Sequence, residues 1–363
     1  MITYNGNIMK VSGYWLTPEP PPSPEPMREG TIRFKFDNTD IVPSNRGISA
    51  SGSWGPVFDT NTHSVITGLW DYAPGNFTSN LRGQLNPQLM DIAHCGGLVE
   101  LVDICKSTLS NKYFFENGFA NATALRKVNI SSLTASSYRM THAFDGCTGI
   151  MEASVLLDTC ASTEVMFGGC TSLRTLYMRT GNGISNGTGH GCTNLRDLTL
   201  EISSDGWFLY QNGHSDFTGA PLVNITFIAP VYSVYRLHGV TAGADQETFA
   251  GLSDLESLIL YERDPGSSIE LVQKPLPISF VGNFCFYRCS SLTAMPSLDL
   301  SAVRQCISMF ENCVNIGSGI LDTYNVLSAH IASSDEHGRC YRNCGIDSPT
   351  GSAELAQIPA GWK

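Results

Sequence analysis

Apolar residues recur with one skeleton across residues 90–346. In the stretch 166–178, MFGGCTSLRTLYM, Phe167 is followed by Cys170 three positions on, then by Leu173, Leu176 and Met178 at plus six, plus nine and plus eleven. Phe144, Cys147, Ile150, Ala153 and Val155 repeat that spacing, as do Phe119, Ala122, Leu125, Val128 and Ile130. Phe249, Leu252, Leu255, Leu258 and Leu260 put leucine in the cysteine slot, and Cys192, Leu195, Leu198 and Leu200 put Gly189 in the aromatic slot. Weaker copies lie at Cys95, Leu98 and Leu101; at Leu222, Ile225 and Phe227; at Phe286, Cys289, Leu292 and Met295; at Phe310, Cys313 and Ile316; and at Tyr341 and Cys344. That makes about ten units, with equivalent cysteine positions 22 to 37 residues apart. Self-similarity at such a period marks a solenoid, in which each unit packs only on its neighbours.

The chemistry of one unit follows from its spacing. The closing apolar-x-apolar pair has period 2, so both side chains point to one face of a short strand. The preceding Phe-x-x-Cys places two apolar groups three apart, as one helical turn does. Neither piece buries its apolar face alone, and stacking successive coils buries all of them. The predicted fold class is therefore α/β and β-rich: a leucine-rich-repeat solenoid of about ten irregular coils with short helical turns. Ten strands about 4.8 Å apart make a rod or arc of roughly 45 Å.

Four units resemble a known family: MFGGCTSLRTLYM (166–178), AFDGCTGI (143–150), FYRCSSLTAMPSLDLSAV (286–303) and MFENCVNI (309–316). They are similar to the BspA-like branch of leucine-rich repeats, found in bacterial surface proteins and in phage or prophage structural proteins. The resemblance spans residues 94–346 and implies a fold rather than a ligand. The coils near residues 200–250 depart from it, and the last unit lacks the strand leucines.

The flanks differ in pattern. Residues 18–26, PEPPPSPEP, hold six prolines and two acids, a composition that favours extended polyproline II over core packing. Residues 18–29 thus read as a spacer behind a short peptide, 1–17, in which Ile2, Tyr4, Ile8, Val11, Tyr14, Trp15 and Leu16 alternate loosely with polar residues. That peptide is either an unstructured tail or a strand that docks on another protein, and its two adjacent aromatics favour docking. Residues 30–93 read as a β-rich cap, since a solenoid end exposes core and needs covering. Within it TIRFKF (31–36) alternates as a strand, SGSWGP (51–56) is a turn cluster, and VITGLW (65–70) is a second strand. GLWDY (68–72) with NFT (76–78), and the opening residues 2–17, resemble the cap and N-terminal segments of phage proteins from gut bacteria. Residues 347–363 remain as a C-terminal tail.

Composition narrows the function. The net charge is −11 with 22 basic against 33 acidic residues, which argues against nucleic acid as a partner. No apolar run approaches the roughly 18 residues that span a bilayer. Residues 1–10 lack a basic start and an apolar h-region, so they do not read as a secretory signal and the thiols are expected to stay reduced. Cys285/Cys289 and Cys340/Cys344 have spacing that could hold a metal. The position four before the motif cysteine is Ala143, Met166, Thr248, Cys285, Met309 and Cys340, a mostly apolar slot, so buried thiols are the better reading. The eight histidines form no His-x3-His or zinc-protease pattern, no Gly-x-Ser-x-Gly occurs, and the glycines of 181–187 are wrongly spaced for a phosphate loop. The expectation is a protein with no enzymatic activity, no cofactor and no metal.

What remains is the strand face opposite the core. Register predicts one row of Lys127, Glu152, Thr175, Asp197, Asn224 and Ser257. Beside it runs a second, of Asn129, Ser154, Tyr177, Thr199, Thr226 and Ile259, flanked by Arg179, Glu201 and Tyr261. Lys127, Thr175, Tyr177, Arg179, Asp197, Thr199, Glu201 and Tyr261 are the candidate ligand contacts, expected to face solvent. Taken with the resemblance, the leading expectation is a phage virion protein (head fibre, decoration protein or tail-associated adhesin) made in the bacterial host cytoplasm. Residues 1–17 would anchor it to other virion proteins of the capsid or tail, and the solenoid would contact a host-surface glycan or protein. A homo-oligomer is compatible with this. A bacterial cell-surface adhesin and an intracellular interaction scaffold are the alternatives.

Overall fold

The computed structural model describes residues 2–3, 10–11, 14–15, 27, 29–36, 68–72, 98–109, 111–181, 184–185, 187–203, 206–207, 217, 220–230, 235–236, 249–263, 270–278 and 281–363. The expected anchor residues Tyr4, Ile8 and Leu16, the proline-rich stretch 18–26, and the turn cluster 51–56 lie outside them. The first strands are β1 (Ile2–Thr3), β2 (Lys10–Val11), β3 (Tyr14–Trp15), β4 (Thr31–Phe36), β5 (Gly68–Tyr72) and β6 (Leu98–Cys105). The repeat contributes β7 (Lys127–Ile130), β8 (Glu152–Leu157), β9 (Thr175–Thr180), β10 (Asp197–Ile202), β11 (Gly206–Trp207), β12 (Asn224–Pro230), β13 (Tyr235–Arg236) and β14 (Ser257–Arg263). Then come β15 (Glu270–Lys274), β16 (Leu276–Pro277) and β17 (Leu298–Asp299). Helices α1 (Ile320–Ser328), α2 (Ser334–His337), α3 (Pro349–Ala356) and a 3-10 turn (Ala360–Trp362) close the chain.

Eleven strands form one sheet in the order β1-β15-β14-β12-β10-β9-β8-β7-β6-β4-β5. From β6 to β14 every neighbouring pair is parallel, the mark of a chain that returns to the same edge after each coil. Antiparallel strands finish both ends, β4 on β6 and β15 on β14. Seven parallel strands define a β-solenoid of about six turns, not ten coils. The last repeat units lose their strand leucines, so they keep the turn of the motif, and among the described residues their strand pairing is the two-residue β16–β17 with a single further bridge, Val281 to Gln305.

The Phe-x-x-Cys segments are not helical turns. Residues two before and two after the column aromatic adopt left-handed φ: Asn117/Asn121, His142/Gly146, Val165/Gly169, Phe284/Arg288, Ser308/Asn312 and Arg339/Asn343. Glycine and asparagine supply that conformation at little steric cost, whereas Val165 and Phe284 are held there against their preference. The alternation points every second N–H along the solenoid axis to a carbonyl of the next coil. Asn117, Phe119 and Asn121 donate to Thr141, Ala143 and Asp145 at 3.1, 2.9 and 2.7 Å. An α-helix would close those bonds within itself. The result is a second ladder, formed by turns, that holds the coils on the side away from the sheet.

Between the two ladders lies the core. Val128, Ala153, Leu176, Leu198, Ile225 and Leu258 line the inner sheet face and all are buried. Opposite them the aromatics stack coil on coil: Phe119–Phe144 at 5.0 Å, Phe144–Phe167 at 5.3 Å, Phe286–Phe310 at 5.4 Å and Phe310–Tyr341 at 5.6 Å. Five motif cysteines donate their thiols to the carbonyl of the column aromatic one coil back. Cys147 bonds Phe119 O at 2.9 Å, Cys170 bonds Phe144 O at 3.1 Å, and Cys192 bonds Phe167 O at 3.1 Å; Cys289 and Cys313 do the same on Phe249 and Phe286. A small apolar side chain with one weak donor fits this slot better than leucine or serine.

Residues 347–363 extend the folded body beyond the last repeat. Ser348 caps α3 with Pro349 at its first position, and Glu354 of α3 accepts from Leu321 N at the start of α1. Trp362 supplies the carbonyl that a further coil would offer, accepting from Tyr341 N at 2.9 Å, while its ring stacks on His337 at 4.0 Å. The final aromatic therefore covers the open end of the column.

Candidate functional site

The sheet face away from the core carries the candidate ligand contacts, and strand register sets their order. Lys127, Glu152, Thr175, Asp197, Asn224 and Ser257 are ladder partners in sequence, as are Asn129, Ser154, Tyr177, Thr199, Thr226 and Ile259. Arg179, Glu201, Ile228 and Tyr261 form the third row.

Exposure divides these rows. The first is open to solvent: Glu152 is exposed, and Lys127, Thr175, Asp197, Asn224 and Ser257 are half-buried. For Tyr177, Thr199, Glu201 and Tyr261 the expectation of facing solvent is corrected, because they are only 5 to 7% exposed, while Arg179 is half-buried. Along β8 burial alternates, but along β10 every residue after Asp197 is buried, so both faces of that strand are covered. The spacing of leucines reports the inner face alone and carries no signal for this.

Burial gathers charges there. Tyr177 Oη donates to Glu201 Oε2 at 2.5 Å, and Arg263 Nη1 donates to Glu201 Oε1 at 2.6 Å, reaching from β14 past the intervening β12. Arg179 grips Asp158 with two bonds, Nε at 2.8 Å and Nη2 at 2.6 Å. Burial pushes the Glu201 carboxyl upward, opposed first by Arg263, then by the Tyr177 hydroxyl and Arg179. Tyr177 is pushed well above the ordinary phenol range, first by burial and then by the Glu201 charge, so its proton stays in place. This group joins β9, β10 and β14 electrostatically. Arg263 continues the same period-2 face two residues past Tyr261 and was legible by extending that count; Asp158 sits in the turn after β8 and had no such signal.

In the open row the chemistry is that of hydrogen bonding. Asn224 Nδ2 donates to Asp197 Oδ1 at 2.7 Å, and Lys127 lies 3.9 Å from Glu100. Thr175 and Ser257 add hydroxyls, so donors and acceptors repeat at the strand spacing of about 4.8 Å. Of the eleven cysteines among the described residues, all but Cys105 are buried. Among the described residues no group of three or more His, Cys, Asp or Glu is placed to hold a metal, and no helix is long and apolar enough to cross a membrane.

Of the expected anchor residues, Ile2 pairs through its main chain with Leu271 at the β15 edge, and Val11 and Trp15 pair with Tyr14 and Lys10 respectively in the small β2–β3 sheet. No protein-family model, curated protein or solved structure matches the chain.

Proposed function

We propose that the chain is a non-enzymatic phage virion protein, a head fibre, decoration protein or tail-associated adhesin, whose solenoid is of the BspA-like leucine-rich type. The observation that carries the reading is the open row from Lys127 to Ser257: six polar residues held in register by continuous parallel pairing. Such a row extends about 24 Å and offers evenly spaced donors and acceptors to a glycan chain or an extended protein segment. Single contacts of this kind are weak, and many copies on one particle would convert them into avidity. Residues 1–17 serve as the anchor to capsid or tail. Because Ile2–Thr3 already lies against β15, docking uses the remainder of the peptide or displaces that short strand.

Immunogold electron microscopy of particles from a lysate of the source culture tests the assignment. Gold at a defined place on virions is the expected result, head or tail position separating decoration from adsorption. Gold confined to cell envelopes would overturn it in favour of a bacterial adhesin. Removing residues 1–26 should leave a folded solenoid that no longer joins particles. The triple variant Lys127→Ala/Thr175→Ala/Asp197→Ala should lower particle binding to host cells at least about tenfold with unchanged circular dichroism.

A further inference from the structure

One intercoil slot recurs in this solenoid. The residue four before a column position meets the residue one before the equivalent position in the next coil. In the third coil these are Thr163 and Thr188, whose hydroxyl oxygens lie 3.2 Å apart. The neighbouring main-chain bond fixes their relation, Phe167 N donating to Thr188 O at 2.8 Å. In the last coils the same two places hold Cys306 and Cys340, flanked by the equivalent bond from Phe310 N to Cys340 O, also 2.8 Å. A second bond, Cys306 N to Glu336 O at 2.7 Å, and a third, Ser308 N to Gly338 O at 3.1 Å, hold the two segments side by side. The shared register places the two cysteines in the slot that Thr163 and Thr188 occupy in the third coil. This slot differs from that of Cys147, Cys170, Cys192, Cys289 and Cys313, whose thiols donate to carbonyls of the preceding coil.

We propose that Cys306 and Cys340 are a disulfide-forming pair that locks the last coils and the C-terminal cap when the protein meets an oxidising disulfide. With oxidised glutathione as the reagent, one cysteine thiolate attacks its S–S bond, forming a mixed disulfide and releasing one glutathione thiolate. The second cysteine thiolate then attacks the protein sulfur of that mixed disulfide and releases the other glutathione. The two cysteine protons end on the two glutathione thiols, and the two electrons reduce the glutathione disulfide. Both protein thiols are fully buried, so the reagent enters only when the final turn opens. Oxidation is therefore slow in the closed protein and, once complete, suppresses that opening. The bond closes a loop of 34 residues, which by loop-closure entropy shifts the folding equilibrium of the C-terminal turns by several hundredfold, an order-of-magnitude figure.

The full-length chain, equilibrated with oxidised glutathione and blocked with N-ethylmaleimide, is digested with trypsin without reduction. Cleavage after Arg304, Arg339 and Arg342 makes the expected product a cross-link between peptides 305–339 and 340–342, with fragmentation assigning it to Cys306 rather than Cys313. Cys306→Thr is the control, since Thr163 and Thr188 show that the slot accepts hydroxyls. It should keep the fold, lose the cross-link, and lose the difference in proteolytic lifetime of the C-terminal turns between oxidised and reduced protein. Thiols still free at equilibrium would overturn the proposal, as would linkage of Cys340 to Cys313 or Cys344, or an unchanged lifetime after cross-linking.

Discussion

Replacing Arg263 by methionine tests whether the buried charges on the outer sheet face act as one unit. The Glu201 side chain is 5% exposed and that of Arg263 is 26% exposed, with 2.6 Å between Nη1 and Oε1. In Arg263→Met the carboxylate keeps the Tyr177 hydroxyl and the attraction of Arg179 but loses its strongest stabilising charge. Removing one partner of a buried pair costs about 3–5 kcal/mol, and the partial exposure of Arg263 sets the expectation near the lower end. The sign of the pH dependence follows from burial. Glu201 already titrates above its ordinary value of 4.5, and losing Arg263 raises it further. Such a carboxyl binds its proton more tightly when folded, so its destabilising effect is absent below 4.5 and grows as pH rises toward the folded pKa. Urea unfolding followed by circular dichroism should show a larger deficit at pH 7 than at pH 5. Glu201→Gln in the same chain keeps an acceptor for Tyr177 and removes the unpaired charge, so the double variant should recover to within about 1 kcal/mol of Glu201→Gln alone. Losses that simply add in the double variant, or a deficit that does not change with pH, would refute the coupling.

Three further outcomes follow from the same packing. Phe286 is fully buried between Phe249 at 5.3 Å and Phe310 at 5.4 Å, so Phe286→Ala should cost about 3–5 kcal/mol in denaturant unfolding; a loss under about 1 kcal/mol would deny the column its structural role. Gly345 has φ 68°, and an added Cβ would lie 2.6 Å from the Ile316 carbonyl, so Gly345→Ala should lower the melting temperature through about 1–2 kcal/mol of backbone strain plus the clash. Burial pushes the thiols of Cys147, Cys160, Cys192 and Cys313 up to about 12, leaving on the order of one thiolate in ten thousand at pH 8. Iodoacetamide should therefore label these positions only after denaturation, and rapid labelling of the native chain would contradict the packing.

The leucine skeleton, together with the period of two in each strand, was enough to read the inner core and the register of the rows. Leu176, Leu198, Ile225 and Leu258 are inward because their neighbours three before and two after are apolar as well, and repetition lets each unit check the next. The turn ladder was only half legible. Asn121, Gly146, Gly169, Asn312 and Asn343 mark one left-handed column, but His142, Val165 and Phe284 occupy the other with residues that give no such signal. The Arg179–Asp158 and Glu201–Arg263 pairs were not legible, since each joins residues from different coils whose meeting depends on side-chain reach.

By itself, the sequence determined that this chain coils, which side chains fill the coil, and which residues stand beside one another on the sheet. Those properties repeat every 20 to 40 residues and are set by local periodicity. Tertiary structure alone decided how many coils carry strands in the main sheet, that the Phe-x-x-Cys segments pair with neighbouring coils instead of closing helices, and that Tyr177, Thr199, Glu201 and Tyr261 are covered. Each of these depends on what lies against the coil from outside it: a next coil to accept an N–H, a cap to replace the missing one, or side chains of other coils that close on a polar face. A repeat encodes its own interior, and its surroundings are set by the neighbours it meets only after folding.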